Sequence, residues 1–241
     1  MKPTKIELSV VIPVYNEEDI ISTVIDNWIE KLNQLNINHE IHLYNDGSID
    51  NSLERLLESQ KKHSNVVVHD KPNGGHGPTI LQGYLENIES PWIFQVDSDN
   101  EMKPDNFEII WNARNDFDLI LASRKCHIQT LSRSFISTIA RILIRLLYGK
   151  GVWGVNSPYR LMKTSAFCNC FSELPLDTFA PNLILSGYAA YKKLRIYEVD
   201  IPYHGRKTGK VSLQNWNLLK GAVISAKQTI LFRLKLRNVL I

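Results

Sequence analysis

The stretch Leu8–Leu35, LSVVIPVYNEEDIISTVIDNWIEKLNQL, decides the fold. Its first eight residues, LSVVIPVY, are an apolar run of strand length. The remainder has helical periodicity, with Ile20, Val24 and Trp28 on one face and Asn16 as the expected N-cap. The same pattern then recurs. HEIHLY and NDGS precede a helix starting near Asp50; NVVVHD precedes the glycine-rich KPNGGHGP and a helix with Pro78 in its first turn. PWIFQVDSD and FDLILASR supply a fourth and a fifth strand. Strands alternating with helices predict an α/β, Rossmann-like fold, with a mostly parallel sheet and helices on both faces. Ligands of such sheets sit at the carboxyl ends of the strands. The distinctive residues gather there: Pro13, Tyr15, Asn16 and Glu17; Asn45 and Asp46; Asp97, Ser98 and Asp99.

The 241 residues suit one well-buried domain, read as a ligand-binding half, 1–118, and a second half, 119–241. With 44% apolar and 22% charged residues the chain is globular, without repeats or low-complexity tracts. The first apolar run is followed at once by acids, so it is a strand and not a signal peptide. No apolar run reaches the roughly 18 residues of a membrane span. Three cysteines, Cys126, Cys168 and Cys170, lack framework spacing and suggest reduced thiols in a cytoplasmic protein. Cys168 and Cys170 alone are a weak metal signal, and ordinary packing is the simpler reading.

The net charge of +3 hides an asymmetry. Residues 119–172 hold no acid and eight Lys or Arg, and residues 203–241 repeat that count. A basic half expects an anionic partner: phosphates, a membrane surface or nucleic acid. Its aromatics are not interleaved with bases and no nucleic-acid module is present, so nucleic acid is the poorest fit. LSRSFISTIARILIRLLYGKG predicts an amphipathic helix. Arg133, Arg141 and Arg145 form one stripe, and Ile136, Ile139, Ala140, Leu143 and Leu147 the apolar face. KVSLQNWNLLKGAVISAKQTILFRLKLRNVLI is helical, apolar and basic, and Lys227, Arg233, Lys235 and Arg237 have no acid nearby in sequence. Each helix suits either a membrane interface or core packing with a solvated basic face, and the second favours the membrane.

Asp97, Asp99 and Glu101 stand at alternate positions just past the fourth strand. Such acids repel one another unless something positive meets them, and they can converge on one hard cation. Mg²⁺ and Mn²⁺ take one or two carboxylates together with substrate phosphates. An isolated D-x-D is common on surfaces; its place after a strand of a βα unit points to metal and diphosphate. The loop containing Gly74, Gly75 and Gly77 lacks the Lys-Ser/Thr of a P-loop and reads equally as a plain turn.

VVIPVYNEEDII, NDGSIDNS, NGGHGPTILQGY, QVDSDNE, SPYRLMK and GRKTGKVSL, in that order, resemble the family 2 glycosyltransferases of GT-A fold. The nearest branch holds the dolichol-phosphate mannose synthases and related polyprenyl-phosphate sugar transferases. Each motif is weak alone; six in order, over residues 8–213, are specific. The resemblance implies that Pro13, Tyr15, Asn16 and Glu17 form the first nucleotide-binding strand end. Asp46 then contacts the nucleoside, with Gly75 and Ser98 in the same nucleotide-sugar site. It implies Asp97 and Asp99 as the D-x-D metal ligands, with Glu101 where a third ligand stands. Arg124 matches the arginine after the fifth strand, and Arg206 and Lys210 match a late basic motif that meets phosphates. Two motifs depart. Asn45 replaces the first acid of D-D-G-S, and G-K-V-S replaces the branch's G-K-S-K.

The implied activity is inverting transfer of a sugar from a nucleotide-diphosphate donor, with Mg²⁺ or Mn²⁺. Asp97, Asp99 and Arg206 would stabilise the leaving group. The basic second half is then a helical acceptor region. A phosphate acceptor is already anionic and needs no general base, whereas a hydroxyl does. Only Glu173, Asp177, Glu198 and Asp200 could serve there, Asp177 best. This poverty of acids favours a polyprenyl-phosphate or other lipid-linked acceptor, reached from an anionic membrane surface at the inner face of the membrane. Two rivals stay open: transfer to a glycan or lipid-linked saccharide hydroxyl with Asp177 as base, and a non-catalytic nucleotide-binding relative, suggested by Asn45.

Overall fold

The computed structural model describes residues 5–125, 131–202 and 215–238. One seven-stranded sheet runs through both halves of the chain, in the order β3-β2-β1-β4-β6-β5-β7. The strands are β1 (Leu8–Val14), β2 (His39–Asp46), β3 (Val66–Lys71), β4 (Trp92–Gln95), β5 (Leu119–Lys125), β6 (Arg160–Lys163) and β7 (Ile196–Pro202). All pairings are parallel except those of β6, which runs antiparallel between β4 and β5. The five expected strands are present. β6 and β7 are additional: four and seven residues long, they carry polar or charged residues that break an apolar run.

Residues of β1 alternate between two cores. Val10, Ile12 and Val14 enter one, built with α1 (Ile21–Gln34), α2 (Ser52–Lys62) and α4 (Phe107–Ala113). There Trp28 packs on Phe94 and Phe107 at ring-centroid distances of 5.1 and 5.5 Å. Val11 enters the other, built with α3 (His76–Glu86), α5 (Leu131–Tyr148), α6 (Thr164–Glu173), α7 (Pro181–Tyr191) and α8 (Asn215–Asn238). Period-two alternation in a strand covered on both faces produces this arrangement. Helices therefore lie on both faces, as expected. Strand order reverses at β1, which lies between β2 and β4. In open α/β sheets ligands bind at such a point, outside the carboxyl ends of the strands.

Two helical expectations change. Asn16 is not the N-cap of α1, because the helix begins at Ile21 and Asn16 adopts φ 54°. The left-handed region tolerates asparagine better than most residues, so the side chain serves the turn. On α5 the inward residues are Ile144 and Tyr148, with Ala140 and Leu147 beside them, while Ile139 is 47% exposed. The face is set by packing on α7 and α8, where the Tyr148 hydroxyl donates to the Thr229 carbonyl at 2.7 Å.

Candidate active site

The loops after β1 and β2 are tied together by backbone amides of the two turns. The Asn16 amide donates to Ser48 Oγ (3.1 Å), and Asn16 Oδ1 accepts from the Ile49 amide (2.9 Å). The Glu17 amide donates to Ser52 Oγ (2.8 Å), and that of Glu18 to Asp50 Oδ2 (3.2 Å). Pro13 and Glu17 are buried, and Tyr15 is exposed at the strand end. The expected nucleotide loop is thus a braced turn.

Asp46, almost fully buried, holds the glycine-rich loop. Its Oδ1 accepts from the Gly74 amide (2.8 Å) and its Oδ2 from the Gly75 amide (2.9 Å); the Lys71 ammonium pairs with it as well. Burial alone would raise its carboxyl, but the Gly74 amide and the Lys71 and Thr79 side chains outweigh that and hold it below the usual carboxylate value. Gly75 turns the chain at φ 90°, a conformation open to glycine. Asn45 answers Asp70: its amide donates to Asp70 Oδ1 at 2.7 Å, and its own Oδ1 accepts from Ser48. An aspartate there would oppose Asp70 carboxylate to carboxylate, which gives a physical reason for the departure from D-D-G-S.

Asp97 follows the end of β4 and is 28% exposed. Its Oδ1 accepts from Gln95 Nε2 at 2.9 Å and meets His76 Nε2 at 3.1 Å. Desolvation lowers the His76 imidazole, yet the charge and hydrogen bond of Asp97, helped by Asp46 and Asp99, raise it above its usual value. The imidazole and the Asp97 carboxylate thus form a close polar pair at the start of α3. Asp99 Oδ1 accepts from the Glu101 amide at 3.1 Å and shapes the turn, in which Ser98 is buried.

The donor chemistry here suits a hard divalent ion. Asp97 and Asp99 offer two carboxylates, and Mg²⁺ or Mn²⁺ characteristically combines so few with substrate phosphates. Among the described residues no three His, Cys, Asp or Glu side chains are arranged to hold a metal unaided. Of the acids named as ligands, Asp97 and Asp99 flank Ser98 just past β4, and one Asp99 oxygen is taken by the Glu101 amide.

Arg124 is placed by its backbone, in β5 opposite Ile201. Arg206 and Lys210 lie outside the described residues. The acids of the second half are mostly engaged. Glu198 accepts from the Trp153 and Gly154 amides at 2.6 and 3.1 Å, and Glu173 lies 3.6 Å from Lys235. Asp177 is exposed, and its carbonyl accepts from Gln228. Its loop presses on α3: a Cβ on Gly77 would lie 2.1 Å from the Phe179 carbonyl oxygen.

Sequence reading missed His76, Gln95 and Lys71 as partners of the acids. His76 stands in the glycine-rich loop and Lys71 just before it, but nothing in their spacing indicates Asp97 or Asp46. The basic residues of α8 are also less free than expected, since Lys235 meets Glu173. The Arg233 guanidinium lies 4.3 Å from the Tyr191 ring centroid and donates to the Leu147 carbonyl.

Known proteins share this architecture. The chain is 26% identical over 209 residues to the undecaprenyl-phosphate 4-deoxy-4-formamido-L-arabinose transferase of Photorhabdus laumondii, covering 84% of this chain and 62% of that one. It thus spans less than two thirds of that relative's length. It is 24% identical over 253 aligned positions to dolichyl-phosphate beta-glucosyltransferase ALG5D of Trichomonas vaginalis, covering 96% of this chain and 76% of the other. The glucosyl-3-phosphoglycerate synthase of Mycobacterium tuberculosis, solved with Mn²⁺, UDP and glucosyl-3-phosphoglycerate, superposes with a TM-score of 0.64 at 17% identity. The overlap covers 94% of this chain and 79% of that one, so the GT-A fold is shared. Residues 9–169 match the model of Glycosyl transferase family 2, and with two thirds of its length inside that match the chain belongs to this family.

Proposed function

We propose that the protein transfers a sugar, with inversion, from a nucleotide-diphosphate donor to a polyprenyl-phosphate lipid. The observation that carries this is the placement of Asp97 and Asp99 just past β4, where strand order reverses, beside the start of α3. The two relatives named for polyprenyl-phosphate acceptors support the acceptor class. Asp97 and Asp99 would hold Mg²⁺ or Mn²⁺, which supplies Lewis-acid stabilisation of the leaving diphosphate. Tyr15, Asn16 and Glu17 would border the nucleotide, with Asp46 keeping the glycine-rich loop in place. Arg124, Arg206 and Lys210 would add positive charge toward the phosphates. The half from residue 119 onward would take the acceptor.

The acceptor would approach from a membrane surface. No helix among the described residues is long and apolar enough to cross a membrane. Yet Ile142 and Leu146 on α5 and Val223 and Leu231 on α8 are all more than half exposed. Arg145 stands beside Trp153, its guanidinium 3.7 Å from the ring centroid. Apolar side chains interleaved with cations suit an anionic lipid interface. The test is transfer from UDP- and GDP-sugars to a short polyprenyl phosphate. Transfer that needs the phosphate and vanishes in Asp97→Ala supports the proposal; transfer only to a free alcohol or glycan refutes the acceptor.

A second reading rests on the Asp177 loop, which packs against Gly77 beside His76. An exposed carboxylate there could act as base toward a hydroxyl acceptor. Asp177→Ala separates the readings: it abolishes transfer to a hydroxyl and leaves transfer to a phosphate largely intact.

A further inference from the structure

Behind Asp97 lies a buried polar cluster that glycosyl transfer does not by itself require. Gln95, Tyr84 and Arg160 are fully buried, and Asn182 is 3% exposed. Gln95 and Arg160 face each other across the antiparallel β4–β6 pair. Tyr84 comes from α3 and Asn182 from the first turn of α7. Tyr84 donates its hydroxyl proton to Asn182 Oδ1 at 2.7 Å, and Asn182 Nδ2 donates to Gln95 Oε1 at 2.8 Å. Gln95 Nε2 then donates to Asp97 Oδ1 at 2.9 Å. Each amide thereby has its orientation fixed, because reversing either would set donor against donor or acceptor against acceptor.

Arg160 anchors the cluster from below. Its guanidinium donates to the carbonyls of Ser157 (2.9 Å), Asn182 (3.2 Å) and Val155 (3.4 Å). Desolvation pulls its pKa down to about 10, against the opposing influence of Tyr84 and Asp97, so it remains cationic at neutral pH. A buried cation is costly unless something compensates it. Here it ties the first turn of α7 to the segment that leads into β6, the strand paired with β4.

We propose that Gln95 is a positioning residue, held by Asn182 and Tyr84 above Arg160, that fixes the Asp97 carboxylate for the metal–diphosphate complex. The inference rests on the reading of Asp97 as a metal ligand. Residues that orient a ligand usually change metal affinity about 10- to 100-fold when altered. Gln95→Glu keeps the acceptor toward Asn182 but replaces the donor toward Asp97 with an oxygen.

The experiment titrates Mn²⁺ in the presence of UDP, followed by the electron paramagnetic resonance of free Mn²⁺. UDP binding without metal and the melting temperature are measured alongside. The expected result for Gln95→Glu is a Mn²⁺ Kd raised about tenfold or more. Metal-free UDP affinity should stay within about twofold of wild type, and melting should remain cooperative. Tyr84→Phe, a milder break in the same chain, should raise the Mn²⁺ Kd in the same direction, and it provides the test if Gln95→Glu does not fold. A folded variant with wild-type Mn²⁺ affinity overturns the inference while leaving Asp97 as a ligand. A parallel loss of metal-free UDP binding and stability, without a selective metal effect, shows a merely structural role and also overturns it. Absence of Mn²⁺ binding by wild type, or indifference to Asp97→Asn, removes the ligand reading and this inference with it.

Discussion

Asn45 and Asp46 are adjacent in sequence and do opposite electrostatic work. Asn45 offers Asp70 a donor at 2.7 Å, where an acid would offer a second anion. Asn45→Asp is therefore expected to destabilise the protein in a pH-dependent way. With two carboxylates in contact, one is raised above its unfolded value, and each unit costs about 1.4 kcal/mol at neutral pH. The cost is absent below about pH 4, where both states hold the proton, and grows as pH rises. Urea unfolding at pH 4 and pH 7 checks this; equal losses at both would contradict it. Asp46 carries the reverse sign, since its native carboxyl is held low by Gly74, Lys71 and Thr79 despite burial. Its contribution is present above the unfolded value of about 4 and lost as pH falls through the lower native one. Asp46→Asn should cost about 1–3 kcal/mol at pH 7. The gap to wild type should close in acid, as read by the same unfolding curves.

At the scale of elements, the start of α3 is where two loops meet. Gly77 abuts the Thr178 and Phe179 carbonyls, so Gly77→Ala must move backbone and not a flexible side chain. Overpacking of this kind costs about 1–3 kcal/mol. Each kcal/mol lowers the melting temperature of a chain this size by about 2–4 °C. Calorimetric melting of Gly77→Ala beside Gly75→Ala, where a Cβ meets open space but φ is 90°, separates crowding from backbone strain. The strands β1, β3, β4 and β5 were legible as apolar runs bounded by turn residues, and β2 as the repeat of the strand–loop–helix pattern. Strand β6 was not, since RLMK is four residues with a cation at each end and owes its place to pairing with β4 and β5. Asn16 misled because an N-cap and a left-handed turn favour the same residue type. The candidate site was legible through spacing at Asp97 and Asp99 and through the family resemblance at Asp46. Its partners His76, Gln95 and Lys71 arrive through tertiary contacts that no spacing encodes.

At the scale of the molecule, the carboxyl edge of the sheet and the exposed apolar faces of α5 and α8 define the account. Ile142→Glu combined with Leu146→Glu should leave melting nearly unchanged, because both side chains are more than half exposed. Partition onto vesicles containing anionic lipid should fall about tenfold or more, by sedimentation, since each apolar side chain contributes about 1.5–3 kcal/mol when buried. Unchanged partition would mean that another surface meets the membrane. The central claim concerns the other end of the reaction, the metal-assisted nucleotide site at Asp97 and Asp99. Its most direct test is calorimetric titration of UDP and GDP, with and without Mn²⁺, into wild type and Asp99→Ala. The account predicts that one nucleotide binds wild type in a metal-dependent manner and that the substitution removes this dependence. Metal-independent binding in both proteins, or no binding of either nucleotide under any metal condition, would contradict it.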